Sequence, residues 1–158
     1  MKTIPSVLFV CLGNICRSPL AEAAFRKVAA NAGLEAMTDS AGTAAYHVGN
    51  PPDPRAIVTA ARYGVDISGY QARQIATQDY TRFTQIFALD SSNLADIEQR
   101  TPGNTTAEIA LLMDVREGSE GQAVADPYYG DQEHFEVTWT DVSAAAEALV
   151  AKLLSGRN

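Results

Sequence analysis

The chain has 158 residues, 46% hydrophobic and 20% charged, a size that suits one domain able to bury a core without disulfide staples. Nineteen acidic against twelve basic residues give a net charge of -7, and no Lys/Arg run is present. Such runs neutralise nucleic-acid phosphates or hold an anionic bilayer, so neither partner is expected. No apolar stretch approaches the roughly 20 residues that span a membrane, and Met1-Lys2-Thr3-Ile4-Pro5-Ser6 lacks a signal peptide's apolar region. A single domain over 1–158 in the cytoplasm is the expectation.

Ser6-Val7-Leu8-Phe9-Val10 is a short, continuous, β-branched and aromatic run, the pattern of a strand buried on both faces. A glycine-containing turn follows, and Ser18-Pro19 predicts a helix opening with Pro in the first turn. Leu20, Ala24, Val28 and Ala32 recur along it every four residues, and Gly33 closes it. Met37 to Gly42 reads as a second strand. Asp53-Pro54 reads as an N-cap with Pro at N1, leading a helix through Ile57 and Ala61 to Gly64. Ile86 to Leu89 is a buried strand, with Ser91-Ser92 capping a helix through Leu94 and Ile97. Ile109 to Met113 is the fourth strand, and Trp139, Val142, Ala146, Leu149 and Leu153 mark one stripe of a closing helix.

Strands alternating with helices predict an α/β fold with a parallel sheet, right-handed crossovers and helices on both faces. Ligands of such sheets bind beyond the carboxyl ends of the strands. The turn at 11–18, the residues after Leu89 and those after the fourth strand then share one rim.

That turn carries the chemistry. Cys11-Leu12-Gly13-Asn14-Ile15-Cys16-Arg17-Ser18 lies between a buried strand and a helix start, where backbone N–H groups and the helix dipole make an anion site. Gly13 and Asn14 are residue types that tolerate left-handed backbone angles. No Gly-Lys-Ser/Thr follows, so this is not a Walker nucleotide loop. The same donors that hold phosphate stabilise a thiolate at Cys11. Arg17 offers a planar fork for two phosphoryl oxygens, and Ser18 can donate to the sulfur and ease its departure. The sum is phosphoryl transfer through a covalent thiophosphate, with no metal or cofactor. Only Cys11 and Cys16 are cysteines, which argues for reactive chemistry over a disulfide scaffold.

A departing ester oxygen needs a proton donor. Asp126, held by Pro127 before Tyr128-Tyr129-Gly130, reaches the same rim, and the tyrosines can wall a pocket for an aromatic ring. Asp90, at the end of a strand, is a rival acid that position alone does not separate from Asp126. His47 and His134 lack metal-ligand spacing and read as surface or cap residues.

These residues resemble the low-molecular-weight protein tyrosine phosphatases. The segment from Val10 to Glu22 is similar to their catalytic loop and first helix. Asp39-Ser40-Ala41-Gly42, Asp53-Pro54-Arg55-Ala56, Ala72-Arg73-Gln74, Asp90-Ser91-Ser92-Asn93-Leu94 and Asp126-Pro127-Tyr128-Tyr129 match further landmarks in order. The resemblance implies a three-layer α/β/α fold with a four-stranded parallel sheet and a phosphate-binding loop between the first strand and first helix. It implies phosphotyrosine proteins as substrates, with inorganic phosphate or other oxyanions as product or inhibitors. By the same route Cys11 is nucleophile, Arg17 the oxyanion clamp and Asp126 the acid and then base, while Leu12, Gly13, Asn14, Ile15, Cys16, Arg17 and Ser18 bind phosphate. Asn14, Ser18 and Ser40 brace the loop, and Tyr46, Tyr128 and Tyr129 line the pocket. Cys16 corresponds to a second cysteine that forms a reversible disulfide with the nucleophile. One departure is Tyr70, where family members often have a histidine bonded into the bracing network.

Three rival functions fit the residues less well. Thiol-dependent arsenate reductases resemble the loop but relay a disulfide through later cysteines, and no cysteine follows Cys16. Protein arginine phosphatases tend to have Thr at the Ile15 position and lack the paired tyrosines. A phosphotyrosine-binding module without turnover has no use for Cys11, Arg17 and Asp126 together.

Overall fold

The computed structural model describes residues 4–156. Its centre is a four-stranded, all-parallel sheet of β1 (Ser6–Cys11), β2 (Met37–Gly42), β3 (Gln85–Ala88) and β4 (Glu108–Leu111), in the order β2-β1-β3-β4. β1 is central and buried along its whole length, as its unbroken apolar run dictates. The helices are α1 (Arg17–Asn31), α2 (Pro54–Arg62), α3 (Asp79–Arg82), α4 (Ser91–Gln99) and α5 (Gln132–Ser155).

Strand alternation divides the core into two layers. Val7, Phe9 and Cys11 point into a cluster with Leu20, Phe25, Ala56, Ala60, Phe135, Trp139 and Leu149, contributed by α1, α2 and α5. Leu8 and Val10 point the other way, among Tyr80 of α3, Phe83 just after it, Ile86 of β3 and Ile97 of α4. The result is the expected α/β/α sandwich. Because β2 and β3 flank β1 on opposite sides, the chain reverses its winding beside β1. The crevice at the carboxyl end of β1 and β3 is therefore the switch point where α/β sheets bind ligands.

Several boundaries differ from expectation. α1 begins at Arg17, with Cys16 as N-cap and no side-chain cap bond, so Pro19 is its third residue. That position still needs no N–H, and Ser18 is left free for other partners. The first half of α1 is buried all round rather than along one stripe, while Val28 is half-buried and Ala32 exposed. Gly33, at φ 71°, ends α1 with Leu34 N donating to Ala29 O at 2.9 Å and Gly33 N to Ala30 O at 3.2 Å. α4 is capped by Asp90, whose side chain accepts from Asn93 N, and not by Ser91-Ser92. The short α3 was not expected. The fourth strand stops at Leu111, and Leu112–Val115 form a 3-10 turn instead of continuing it. Asp53 caps α2 with Pro54 at N1, as the sequence predicts.

Candidate active site

Cys11 ends β1 with its side chain buried, and the loop after it turns into α1 within five residues. Asn14 makes this possible by adopting φ 59°. Gly13 is not left-handed, contrary to expectation; its missing side chain matters for a different reason. A Cβ there would lie 3.0 Å from His47 Cδ2, so the imidazole packs against the loop backbone. Gly42, paired with Cys11 in the sheet, is tighter still: a Cβ would lie 2.6 Å from Leu12 O.

Among the described residues, the amides of Gly13 to Arg17 donate to no protein acceptor. They are the unpaired donors of a loop and a helix amino terminus, the physical basis of an anion site. The loop's carbonyls are held from outside instead: Thr43 N donates to Cys11 O at 2.9 Å, Ala44 N to Leu12 O at 3.0 Å and Asp53 N to Ile15 O at 2.9 Å.

Behind the loop, Asn14 Nδ2 donates to Ser18 Oγ at 2.8 Å and to Ser40 Oγ at 3.0 Å, and Asn14 Oδ1 accepts from Arg73 N at 3.0 Å. Ser18 Oγ lies 3.0 Å from Cys11 Sγ. Arg73 in turn forks onto Asp79 through two bonds of 2.9 and 3.0 Å and reaches Asp39 at 3.1 Å. Tyr70 bonds to neither Asn14 nor the serines and meets this network only through Arg26, which pairs with Glu22. Its hydroxyl accepts from Arg26 Nε at 3.2 Å, and the far end of Ser40 is held by Glu22. Sequence reasoning gave Glu22 no role here, although it lies four residues after Ser18 and thus on the same helix face.

The Arg17 guanidinium is buried. Its Nη1 donates to Asp90 Oδ2 at 2.7 Å and to Val124 O at 3.0 Å, while Nη2 is 3.8 Å from Asp126 Oδ2. Asp90 is committed at both oxygens, one to Arg17 and the other to the α4 amino terminus through Asn93 N at 2.7 Å. Asp126 is different. Its side chain is 47% exposed, and its one short contact is Oδ1 accepting from Tyr128 N at 3.1 Å.

A cavity of about 380 Å³ opens over the loop. Cys11, Leu12, Gly13, Ile15, Cys16 and Arg17 form its floor, and Tyr46, His47, Asp126, Tyr128 and Tyr129 its walls. Every residue expected at the site lies here or, for Asn14, Ser18 and Ser40, directly behind it. His47 is the correction: it lines the cavity instead of being an ordinary surface residue. His134 is a cap residue as expected, sharing a capping box with Asp131.

The loop that bears Asp126 is clamped by Arg55, to which no role was assigned from sequence. Its Nη1 donates to Gly130 O at 2.7 Å and its Nη2 to Tyr128 O at 2.9 Å, and the guanidinium lies 4.6 Å from the Phe135 ring centroid. Asp53 orients it through two further bonds, and Arg55 holds the Asp53 carboxyl below its ordinary range. Cys16 is a buried free thiol. Burial first, then the neighbouring Asp53, pushes its ionisation well above that of an ordinary cysteine.

A cysteine at a strand end, an unpaired amide loop and a buried arginine at the switch point of a parallel sheet define an α/β protein built to cradle a tetrahedral oxyanion. The chain belongs to the low molecular weight phosphotyrosine protein phosphatase family, whose profile matches residues 6–157. It is 46% identical to the low molecular weight phosphotyrosine protein phosphatase of Schizosaccharomyces pombe over 82% of this chain and 84% of that one. A crystal structure of the Entamoeba histolytica protein tyrosine phosphatase with Hepes in its active site superposes with a TM-score of 0.90 at 35% identity, covering 98% of this chain and 99% of that one. Vibrio vulnificus Wzb, solved in complex with benzylphosphonate, superposes at 0.83 with 26% identity, over 95% and 99% of the two chains.

Proposed function

We propose that this protein is a tyrosine phosphatase that hydrolyses phosphotyrosine monoesters of other proteins through a cysteinyl-phosphate, without a metal ion. The loop amides from Leu12 to Ser18 and the free edge of the Arg17 fork bind the three non-bridging phosphoryl oxygens. Cys11 attacks phosphorus in line with the ester bond: S–P forms, P–O breaks, and Asp126 delivers a proton to the departing phenolate. Water then attacks the cysteinyl-phosphate as the Asp126 carboxylate takes its proton. S–P breaks, Ser18 stabilises the thiolate, and inorganic phosphate leaves. Arg17 and the helix amino terminus supply the positive charge that a metal provides in other phosphoryl-transfer sites.

The observation that carries this reading is the commitment of Asp90 against the freedom of Asp126. One carboxylate spends both oxygens holding Arg17 and α4, and the other faces the cavity that Cys11 floors. Tyr46, Tyr128 and Tyr129 give the cavity aromatic walls that suit the ring of an aryl phosphate. The similarity to a protein crystallised with benzylphosphonate supports the same class. We place the protein in the cytoplasm as one phosphatase domain, since a catalytic thiol on the floor of an open cavity survives best in a reducing compartment. Cys16 is assigned as the partner that traps oxidised Cys11 in a disulfide.

The test is p-nitrophenyl phosphate turnover in EDTA. Cys11→Ser should abolish it, and Asp126→Ala should lower kcat about 100- to 10,000-fold while phosphate still binds. Asp90→Ala should weaken phosphate binding through Arg17. Activity that survives Cys11→Ser, or needs a metal, overturns the mechanism. A phosphoarginine peptide cleaved faster than its phosphotyrosine counterpart overturns the substrate.

A further inference from the structure

We infer that Glu22 is a positioning residue for the reacting sulfur: through Ser40 and Asn14 it sets the direction in which the Ser18 hydroxyl donates. The inference rests on the reading of Cys11 as nucleophile.

The bonds behind the loop have one self-consistent polarity. Arg73 N–H is a donor only, so the Asn14 atom it meets at 3.0 Å is the carbonyl oxygen. Both protons of the Asn14 amide then go to the two serines, at 2.8 and 3.0 Å. Each serine oxygen is already an acceptor and must send its own proton elsewhere. For Ser18 the remaining partner is Cys11 Sγ at 3.0 Å, and for Ser40 it is Glu22 Oε1 at 2.7 Å. The sulfur receives a hydrogen bond because the carboxylate receives one at the opposite end.

Without an acceptor at position 22, the Ser40 proton has no destination among these groups. The network then relaxes by turning the Asn14 amide over. That sacrifices the bond from Arg73 N and lets Ser18 donate to the Asn14 oxygen in place of the sulfur. Ser18 would no longer assist the thiolate as leaving group in the second step.

Glu22 is otherwise unexplained. Its side chain is only 4% exposed, it touches no part of the cavity, and a buried carboxylate is costly to keep. It is compensated on its second oxygen by Arg26, which is half-exposed and lies 5.8 Å from the Tyr70 ring centroid. Asp39 and Tyr70 are the other titratable groups near it. In a chain with Tyr70 at this position, Glu22 is the acceptor that takes the Ser40 proton.

The experiment is a set of variants read by steady-state and pre-steady-state kinetics on p-nitrophenyl phosphate. Glu22→Met, which fills the space without an acceptor, should lower kcat roughly tenfold or more. Inhibition by inorganic phosphate should be nearly unchanged, and a burst of p-nitrophenol should show accumulated cysteinyl-phosphate. Glu22→Gln combined with Arg26→Met restores an uncharged acceptor toward Ser40 and should recover most of the rate. In a Ser18→Ala background, Glu22→Met should cost less than about twofold, because the effect runs through the Ser18 proton. Should Glu22→Met fail to fold by circular dichroism, Ser40→Ala breaks the same link and is compared with and without Ser18. A wild-type kcat for the acceptor-free variant, or an equal fold-loss in both backgrounds, overturns the inference. Turnover that persists in Cys11→Ser instead overturns the function itself, and the two failures are separable.

Discussion

Gly42→Ala tests whether the loop geometry governs catalysis. The added Cβ would sit 2.6 Å from Leu12 O, 3.2 Å from Ala44 O and 3.2 Å from Gly13 C, where ordinary contact begins near 3.4 Å. About 0.8 Å of overlap with the Leu12 oxygen must be relieved (3.4 less 2.6). Gly42 itself is pinned, with its N–H donating to Arg73 O and its carbonyl accepting from Ile75 N, both at 2.8 Å. The cysteine loop is tied through its carbonyls, with Leu12 O accepting from Ala44 N at 3.0 Å, but its own amides are unpaired among the described residues, so the loop yields more readily than the doubly bonded Gly42. Overpacking of this kind costs about 1–3 kcal/mol, which lowers Tm by roughly 2–12 °C in a domain of this size. Displacing the loop amides by a fraction of an ångström should also reduce kcat on p-nitrophenyl phosphate about 10- to 100-fold. Urea unfolding and steady-state kinetics on one preparation measure both. An alanine variant with wild-type kcat would show that the loop tolerates displacement and that its placement is not limiting.

Three further outcomes follow from the same geometry. Arg55→Ala removes both bonds to the Asp126 loop, at Tyr128 O and Gly130 O, and should lower kcat about tenfold with KM for p-nitrophenyl phosphate little changed. Arg55 depresses the Asp53 carboxyl, so Asp53 contributes stability that is present above about pH 4, its unfolded value, and is lost as pH falls through its lower folded value. Denaturant midpoints of Asp53→Asn should accordingly fall less between pH 5 and pH 3 than those of the wild type. Peroxide inactivation should be reversible by dithiothreitol in the wild type and progressively irreversible in Cys16→Ser. Because Cys16 is held protonated by burial and Asp53, oxidation must begin at Cys11; full recovery of Cys16→Ser would remove its protective role.

The sequence by itself carried the fold class and most of the site. An unbroken apolar run, a turn with Gly and Asn, and a helix with Pro in its first turn place a cysteine and an arginine on an anion cradle, because strand periodicity and helix termini are local properties of the chain. The Asp53-Pro54 cap was legible for the same reason. Boundaries were less so: Asp90, not Ser91-Ser92, caps α4, since three adjacent residues compete for one cap and only the path of the chain selects among them.

Long-range pairing decided what remained. Position along the chain alone does not separate Asp90 from Asp126 as the acid, since both fall on the carboxyl rim of the sheet. The packing of β3 against β1 brings Asp90, already the α4 cap, to Arg17 at 2.7 Å, while Asp126 keeps only a 3.8 Å contact with the same guanidinium and faces the cavity. His47 enters the cavity because Gly13 leaves room for its ring, a contact across 34 residues that no periodicity encodes. Arg55 reaches Tyr128 and Gly130 across more than 70 residues, and Glu22 meets Ser40 across the gap between α1 and β2. A chain's local preferences settle which elements form, but which carboxylate stays reactive depends on which partners the packed sheet brings within hydrogen-bonding distance.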